Sequence, residues 1–266
     1  MHRVYNRKNN NLIYYDNSPT NDFWDNQWSI SEKIVSQIIK TNDTFVTRVT
    51  KNWLNKDDGI ILEGGCGRGH HVAALKNNGY NVIGLDFAIN TVKILNEFAP
   101  QLDIQYGDVR KLPFEKNNFS GYWSLGVIEH FIDGYSEISK EMYRVIKPNG
   151  KLFLTFPYMS PIRTLKAKLG MYSLTQNNRM EFYQYALDYK QVNKHFNELG
   201  FHLIKKQPFA GLKGLKDEAK LFQKLINNLI EYRGRNIIIR LIRKFIGVIS
   251  DKFTGHCILL IFEKVR

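Results

Sequence analysis

A glycine loop, two carboxylates and one histidine are the groups of this chain best spaced to do chemistry. The loop reads Glu63-Gly64-Gly65-Cys66-Gly67-Arg68-Gly69 and ends the apolar run Gly59–Glu63. Glycines there let backbone approach a ligand where a Cβ would clash, and a helix after the loop offers free N–H groups. A dinucleotide loop needs its third glycine at position 70, which is His70. A P-loop needs Gly-Lys-Ser/Thr, which is absent. The spacing present is Gly65-x-Gly67-x-Gly69, with Glu63 two residues ahead. A carboxylate at Glu63 opposes a pyrophosphate but suits a ligand with a cationic amino group. Asp86 ends the run Asn81–Asp86, where a carboxylate can accept from both hydroxyls of a ribose. It equally suits a helix N-cap. His130, with an ordinary pKa of about 6.5, can serve as a general base or close a pocket by hydrogen bonding.

Strand and helix signals alternate around these residues. Gly59–Glu63, Asn81–Leu85, Asp103–Tyr106, Phe119–Val127, Lys151–Phe156, Phe201–Lys206 and His256–Glu263 read as strands. Ser29–Leu54, Arg68–Asn78, Asn90–Phe98, Tyr135–Ile146 and Asp188–Leu199 read as helices, with Gly79, Pro100 and Gly200 as stops and Lys147–Gly150 as a turn. Such alternation implies an α/β fold, a mostly parallel sheet with helices on both faces. Residues 1–54 then precede the alternation as an N-terminal segment with a helix, for which the resemblance given below implies a lid, and 55–266 form the main domain. Two insertions break the pattern, a cap at 158–185 and a basic helical stretch at 209–254. Insertions in such folds usually shape the substrate side.

The segment IILEGGCGRG resembles the first motif of class I S-adenosylmethionine (SAM) dependent methyltransferases. Four further segments resemble that family in order: Asn81–Asp86, Gly107-Asp108-Val109, Tyr122–His130, and Glu141–Gly150 followed by KLFLTFP. The chain is thereby similar to the small-molecule, methyltransferase-domain-11-like type. The resemblance implies a Rossmann-like seven-stranded sheet whose last strand is antiparallel, with SAM as cofactor. It also implies that Glu63, Gly65, Gly67, Asp86, Phe87, Asp108, Val109 and Leu125 bind the cofactor. Asp108 would accept from the adenine amino group, with Val109 beside the ring. His130 falls at the cofactor end of the fourth strand and is the expected catalytic base. Some quinone-type members carry a Glu three residues before a Glu-His pair and use a divalent cation; Gly126 takes that place here, so no metal is expected. Tyr15, Trp24 and Trp28 resemble a lid segment that sheds water, though an aromatic cluster packed on the sheet would read the same way.

The acceptor is harder to read. The formal net charge is +13, which attracts phosphate-bearing partners, yet Lys- and Asn-rich composition alone would also produce it. Nucleic acid is not expected: the Ser124–Ile128 segment lacks the Asn/Asp-Pro-Pro-aromatic run of base-amino methyltransferases, and no RNA-binding signature is evident. The cap insertion mixes Tyr158, Tyr172, Tyr183 and Tyr185 with Arg163, Lys166, Lys168 and Arg179. That mixture suits a sugar or lipid-linked phosphate, and equally a solvated helical cap. Tyr15, Trp28, Tyr158, Arg163 and Tyr183 are therefore the candidate substrate contacts. The expected reaction is methyl transfer to oxygen of a small-molecule, glycan or lipid-precursor acceptor. An RNA or protein methyltransferase and a SAM-binding scaffold without catalysis are the competing readings.

From Lys205 to Arg266 there are 14 Lys/Arg against 5 Asp/Glu, so most of the surplus charge sits at this end. Asn236, Arg240, Arg243, Lys244, Gly247 and Asp251 fall on one helical face, and Ile238, Leu241, Ile242, Phe245 and Ile249 on the opposite one. Such a helix can lie on an anionic membrane through 236–251, or its apolar face can simply cover the sheet. No run of about 18 uncharged apolar residues spans a membrane, and the start has no secretory apolar core. Cys66 and Cys257 have no ligand spacing and are expected as free thiols in a cytoplasmic protein.

Overall fold

The computed structural model describes residues 2–175, 180–219, 223–232, 234 and 236–265. The chain opens with a hairpin, β1 (His2–Asn6) and β2 (Asn11–Asp16), then helix α1 (Asn21–Trp28). The single helix predicted over Ser29–Leu54 is two, α2 (Glu32–Ile38) and α3 (Phe45–Thr50). The break has a local cause. The Thr44 hydroxyl accepts from Thr47 N and the Thr47 hydroxyl from Thr44 N, a reciprocal cap that starts a new helix. Asn77 and Asn78 pin the connecting segment by donating to Ile39 O, Thr41 O and Asn42 O.

The alternating region follows: β3 (Ile60–Gly64), α4 (His70–Asn77), β4 (Val82–Asp86), α5 (Ile89–Phe98), β5 (Ile104–Tyr106), β6 (Phe119–Leu125), α6 (Ser136–Val145) and β7 (Ile146–Pro157). Next come α7 (Pro161–Lys168), β8 (Glu181–Ala186), α8 (Tyr189–Glu198), β9 (Phe201–Phe209), α9 (Gly211–Glu218), α10 (Gln223–Glu231), α11 (Ile237–Thr254) and β10 (Cys257–Lys264). The predicted turn Lys147–Gly150 lies within β7 as an irregularity. Ile146 pairs with Phe119, and the register resumes at Lys151 opposite Gly121.

The larger sheet has seven strands in the order β5-β4-β3-β6-β7-β10-β9. β3 pairs in parallel with β4 and with β6, and β10 runs antiparallel to both β7 and β9. Side chains alternate between two cores, as the pleat requires. Leu62, Tyr122, Leu154 and Ile258 face one core, closed by Met142 of α6 and Phe196 of α8. Ile61, Trp123, Phe153 and Leu259 face the other, closed by Ile38 of α2, Val72 of α4 and Leu95 of α5. Both faces are fully covered, so the strands are near-continuous apolar runs. Chain order reverses between β3 and β6, and the carboxyl ends of these strands open the crevice where such folds bind ligands.

A second sheet, β1-β2-β8, ties the N-terminal segment to the cap insertion. β2 is its centre, antiparallel to both β1 and β8. The N-terminal hairpin and the cap insertion are thus joined in one sheet.

α11 attaches the other way round from the covering role its apolar face could play. Ser250 and Thr254, on its polar side, are buried against α9, where Gly211 and Gly214 allow close approach. Gly211 N donates to Asp251 Oδ1 (2.6 Å) and Thr254 Oγ1 donates to Gly211 O (2.9 Å). Ile238, Leu241, Phe245 and Ile249 are exposed. Each forgoes about 1.5–3 kcal/mol that burial would contribute. The side chains of Ile242 and Lys244, and Arg179 of the cap, lie outside the described residues. Among the described residues no helix is long and apolar enough to cross a membrane. Cys66 and Cys257 are free thiols.

Candidate functional site

After β3 the chain enters left-handed backbone at Gly65 (φ +76°) and Gly67 (φ +51°). Space demands glycine there as well. A Cβ on Gly65 would come 2.5 Å from Val127 Cγ2, and one on Gly67 2.9 Å from the Trp28 indole. Gly65 N and Cys66 N donate to Leu85 O on β4, at 2.8 and 3.1 Å. Gly67 N donates to Asp86 Oδ2 (2.7 Å), and Ala88 N to Asp86 Oδ1 (2.9 Å). Asp86 therefore holds the loop while each oxygen keeps acceptor capacity for a further donor. Burial pushes its pKa up, and the backbone N–H groups of Ala88, Gly67 and Phe87 oppose that push.

Glu63 is 2% exposed, and its Oε2 has no hydrogen-bond partner among the described residues. Burial, then the neighbouring Asp86 charge, hold its carboxyl well above the usual range. A buried carboxyl with an orphaned oxygen calls for a cationic donor. The ammonium group of SAM is such a donor, and its ribose supplies the hydroxyl pair that Asp86 can accept. The residues present fit that cofactor.

Glu63, Gly65, Gly67, Asp86, Phe87, Asp108, Val109 and Leu125 all line one cavity of about 1030 Å³, the full predicted cofactor set. Asp108 is already partnered: Arg110 chelates its carboxylate at 2.7–3.1 Å. Against the upward push of burial, those bonds keep Asp108 below its ordinary pKa.

His130 lines the same cavity. Its Nδ1 lies 2.9 Å from Tyr183 O. A carbonyl only accepts, so Nδ1 carries the proton and Nε2 the lone pair. Burial depresses the ring's pKa to about 4, so the imidazole is neutral at pH 7. Beside it, Glu129 is buried, its Oε2 has no hydrogen-bond partner among the described residues, and burial raises its pKa to about 8. The pair therefore combines a neutral base with a neutral acid.

Helix α1 is fastened beside this site. Asp25 of α1 accepts from Thr91 N and Oγ1 (3.0 and 3.1 Å) and from Asn90 Nδ2 (3.0 Å). Arg68 donates to Trp28 O and to Ser29 O (3.1 Å). Trp24 stacks on Trp28, with centroids 5.6 Å apart, and meets His130 edge-on at 4.9 Å.

The five candidate substrate contacts divide. Trp28 lines the cavity, and Tyr183 borders it through His130, with ring centroids 5.1 Å apart. Tyr15, Tyr158 and Arg163 do not line it. Tyr15 is buried on β2 within the small sheet. Arg163 is fully buried and spends its donors internally, on Glu218 Oε1, Tyr158 O, His256 O and His256 Nδ1. Tyr158 is buried below the cap and lines a separate cavity. A cation amid tyrosines signalled ligand binding in sequence, but an internal ion-pair network uses the same residues. The sequence reading missed His71, Val127, Phe131, Ile132 and Phe182, which also line the site. Of these, His71 carried a signal: it sits in the first turn after the glycine loop, and burial depresses its pKa to about 4.

Residues 62–154 match the family model of a methyltransferase domain. A Mycolicibacterium smegmatis protein named as a probable S-adenosylmethionine-dependent methyltransferase is 32% identical over 97 residues, 36% of this chain and 37% of its own length. The chain thus spans little more than a third of that relative. Demethylmenaquinone methyltransferase of Bacillus licheniformis is 25% identical over 215 residues, 68% of this chain and 90% of that protein. The crystal structure of a SAM-dependent methyltransferase from Archaeoglobus fulgidus shares the fold, with TM-score 0.54, 16% identity, and coverage of 91% of this chain and 99% of that one. Taken with the glycine loop, its two carboxylates and the strand order, these likenesses show that residues 62–154 carry a methyltransferase domain and that the surrounding sheet has the fold of the SAM-dependent methyltransferases it resembles.

Proposed function

We propose that the chain transfers a methyl group from SAM to an oxygen of a small-molecule, glycan or lipid-precursor acceptor. One observation carries the reading. A neutral His130, its tautomer set by Tyr183 O, shares a cavity with the carboxylates suited to SAM. When bound, SAM supplies a methyl group already activated on a sulfonium. His130 Nε2 takes the proton of the acceptor hydroxyl as its oxygen bonds to the methyl carbon; the electrons of the broken carbon–sulfur bond stay on sulfur. Trp24 and Trp28 roof the site and exclude water, which favours a displacement that relies on positioning. The same reading makes the protein cytoplasmic, in peripheral contact with an anionic membrane through 236–251. The exposed apolar face of α11 supports that contact.

The test is incubation with methyl-tritiated SAM and separate glycan, lipid, RNA and protein pools, demethylmenaquinone included. Label in the glycan or lipid fraction, or in a small molecule, is the expected result. Label in RNA or protein overturns the acceptor assignment. SAM binding with no transfer to any pool makes the chain a scaffold.

A further inference from the structure

A second cavity, of about 470 Å³, lies away from the cofactor site, between the ends of α7 and α11 and the start of α8. Lys168 of α7, Lys190 of α8, Lys206 of β9 and Lys252 of α11 all line it. Among the described residues Lys168, Lys190 and Lys252 make no ion pair. Lys206 lies over the Tyr189 ring at 4.5 Å. The one carboxylate in the lining, Asp188, is occupied: Asn10 Nδ2 donates to it at 2.7 Å and Lys190 N at 2.9 Å. Tyr158, 3% exposed, also lines the cavity, and its buried hydroxyl has no hydrogen-bond partner among the described residues. Four ammonium groups around one recess are donors for a phosphate.

The recess continues into the exposed face of α11. Ile238, Leu241, Phe245, Val248 and Ile249 recur at helical spacing, each at least 45% exposed. Lys252 lies three residues past Ile249 and four past Val248, on the same stripe, and Phe253 beside it is 59% exposed. At the rim, Leu165 of α7 is also exposed. An apolar stripe that runs into a cluster of cations, of which Lys206 alone is partnered by the Tyr189 ring and hydroxyl (3.2 Å) among the described residues, matches a lipid in both parts, acyl chains and phosphate.

We propose that the α7–α11 surface docks on an anionic phospholipid bilayer, with a lipid headgroup phosphate in the lysine-lined cavity and the α11 stripe among the acyl chains. The site rests on the peripheral contact proposed for 236–251 and adds to it a specific recess for the headgroup. The polar-side attachment of α11 through Ser250, Asp251 and Thr254 leaves the stripe free to do this.

The test is sedimentation of the full chain with vesicles of phosphatidylcholine, with and without phosphatidylglycerol, at low and high salt. Lys168→Glu/Lys252→Glu and Leu241→Asp/Phe245→Asp are compared with the unaltered chain, with SAM affinity confirming the fold of each. The expected result is pelleting only with phosphatidylglycerol, weakened by salt. The lysine variant partitions at least about tenfold less and the apolar variant does not pellet. No pelleting of the unaltered chain overturns both the recess and the peripheral contact. Pelleting lost in the apolar variant but unchanged in the lysine variant overturns the recess alone. A dimer by light scattering that Leu241→Asp/Phe245→Asp splits, with no vesicle binding, assigns the face to a second copy. None of these outcomes bears on methyl transfer, which the SAM and labelling measurements decide separately.

Discussion

His130 Nδ1 and the carbonyl oxygen of Tyr183 lie 2.9 Å apart, joining the loop after β6 to the cap strand β8. That bond leaves Nε2 as the basic nitrogen, and burial keeps the ring neutral down to about pH 4. His130→Ala is therefore expected to lower kcat by about 10²- to 10⁴-fold while SAM affinity stays within a few-fold. For the unaltered chain, kcat/KM should be flat from pH 8 to 6 as regards this base. A kcat/KM that falls with an apparent pKa near the ordinary histidine value would refute the assignment.

Glu129 makes the opposite contribution to stability. Its folded pKa, about 8, exceeds the ordinary value of 4.5, so the folded state holds a proton that the unfolded state releases between those values. Its stabilisation is complete below pH 4.5 and is lost as pH rises toward 8. His130 runs the other way, since a folded pKa of about 4 costs stability as pH falls below the unfolded value of about 6.5. Glu129→Gln should thus leave Tm nearly unchanged at pH 5 and raise it at pH 8 relative to the unaltered chain. Thermal melts at the two pH values check this.

Gly67 and Trp28 form the contact at which α1 meets the glycine loop. Gly67→Ala adds a Cβ 2.9 Å from the indole at a left-handed φ. It should weaken SAM binding by at least about tenfold, since the strained backbone costs on the order of 1–3 kcal/mol. Trp28→Ala in the same chain should recover part of that loss by removing the clash. Trp28→Ala alone should raise acceptor KM or lower kcat; unchanged kinetics with reduced stability would make the indole a packing residue only.

The proposed cofactor contacts were legible as one group because they are local in sequence. Glu63, Gly65 and Gly67 are consecutive in one loop, Asp86 ends the adjacent strand, and a parallel sheet brings such strand ends together. The rest of the cavity lining was not, because it is assembled from distant segments. Phe182 reaches the cavity only because β8 pairs with β2 some 170 residues earlier, which no spacing announces. Arg163 misled for a similar reason: its partner Glu218 lies 55 residues on, so a buried structural cation looked like a free one. Amphipathicity in α11 was legible but its direction was not, since the glycines on α9 that accept its polar side give no sign of doing so.

Glu218 should be the costliest single carboxylate to neutralise. It is 8% exposed and pairs with Arg3 (2.6 Å), Lys166 (2.7 Å) and Arg163 (3.1 Å), while Tyr172 Oη donates at 2.7 Å. Burial raises its pKa, but Lys166, Arg3, Tyr172 and Arg163 together bring it down to about 2. Glu218→Gln leaves a buried guanidinium without its counter-ion and should cost about 3–5 kcal/mol in urea unfolding. Because the folded pKa lies below the unfolded one, this stability is present above about pH 4.5 and is lost as pH falls toward 2.

Calorimetric titration of SAM into the full chain and into Asp86→Ala tests the central claim most directly. Asp86 bridges Gly67 N and Ala88 N and is suited to accept the ribose hydroxyls, so its removal deletes at least two charge-assisted bonds. One saturable site in the unaltered chain, weakened by about a hundredfold or more in Asp86→Ala at roughly 1.5–3 kcal/mol per bond, is the predicted result. No heat of SAM binding, or equal affinity in the two chains, would contradict it.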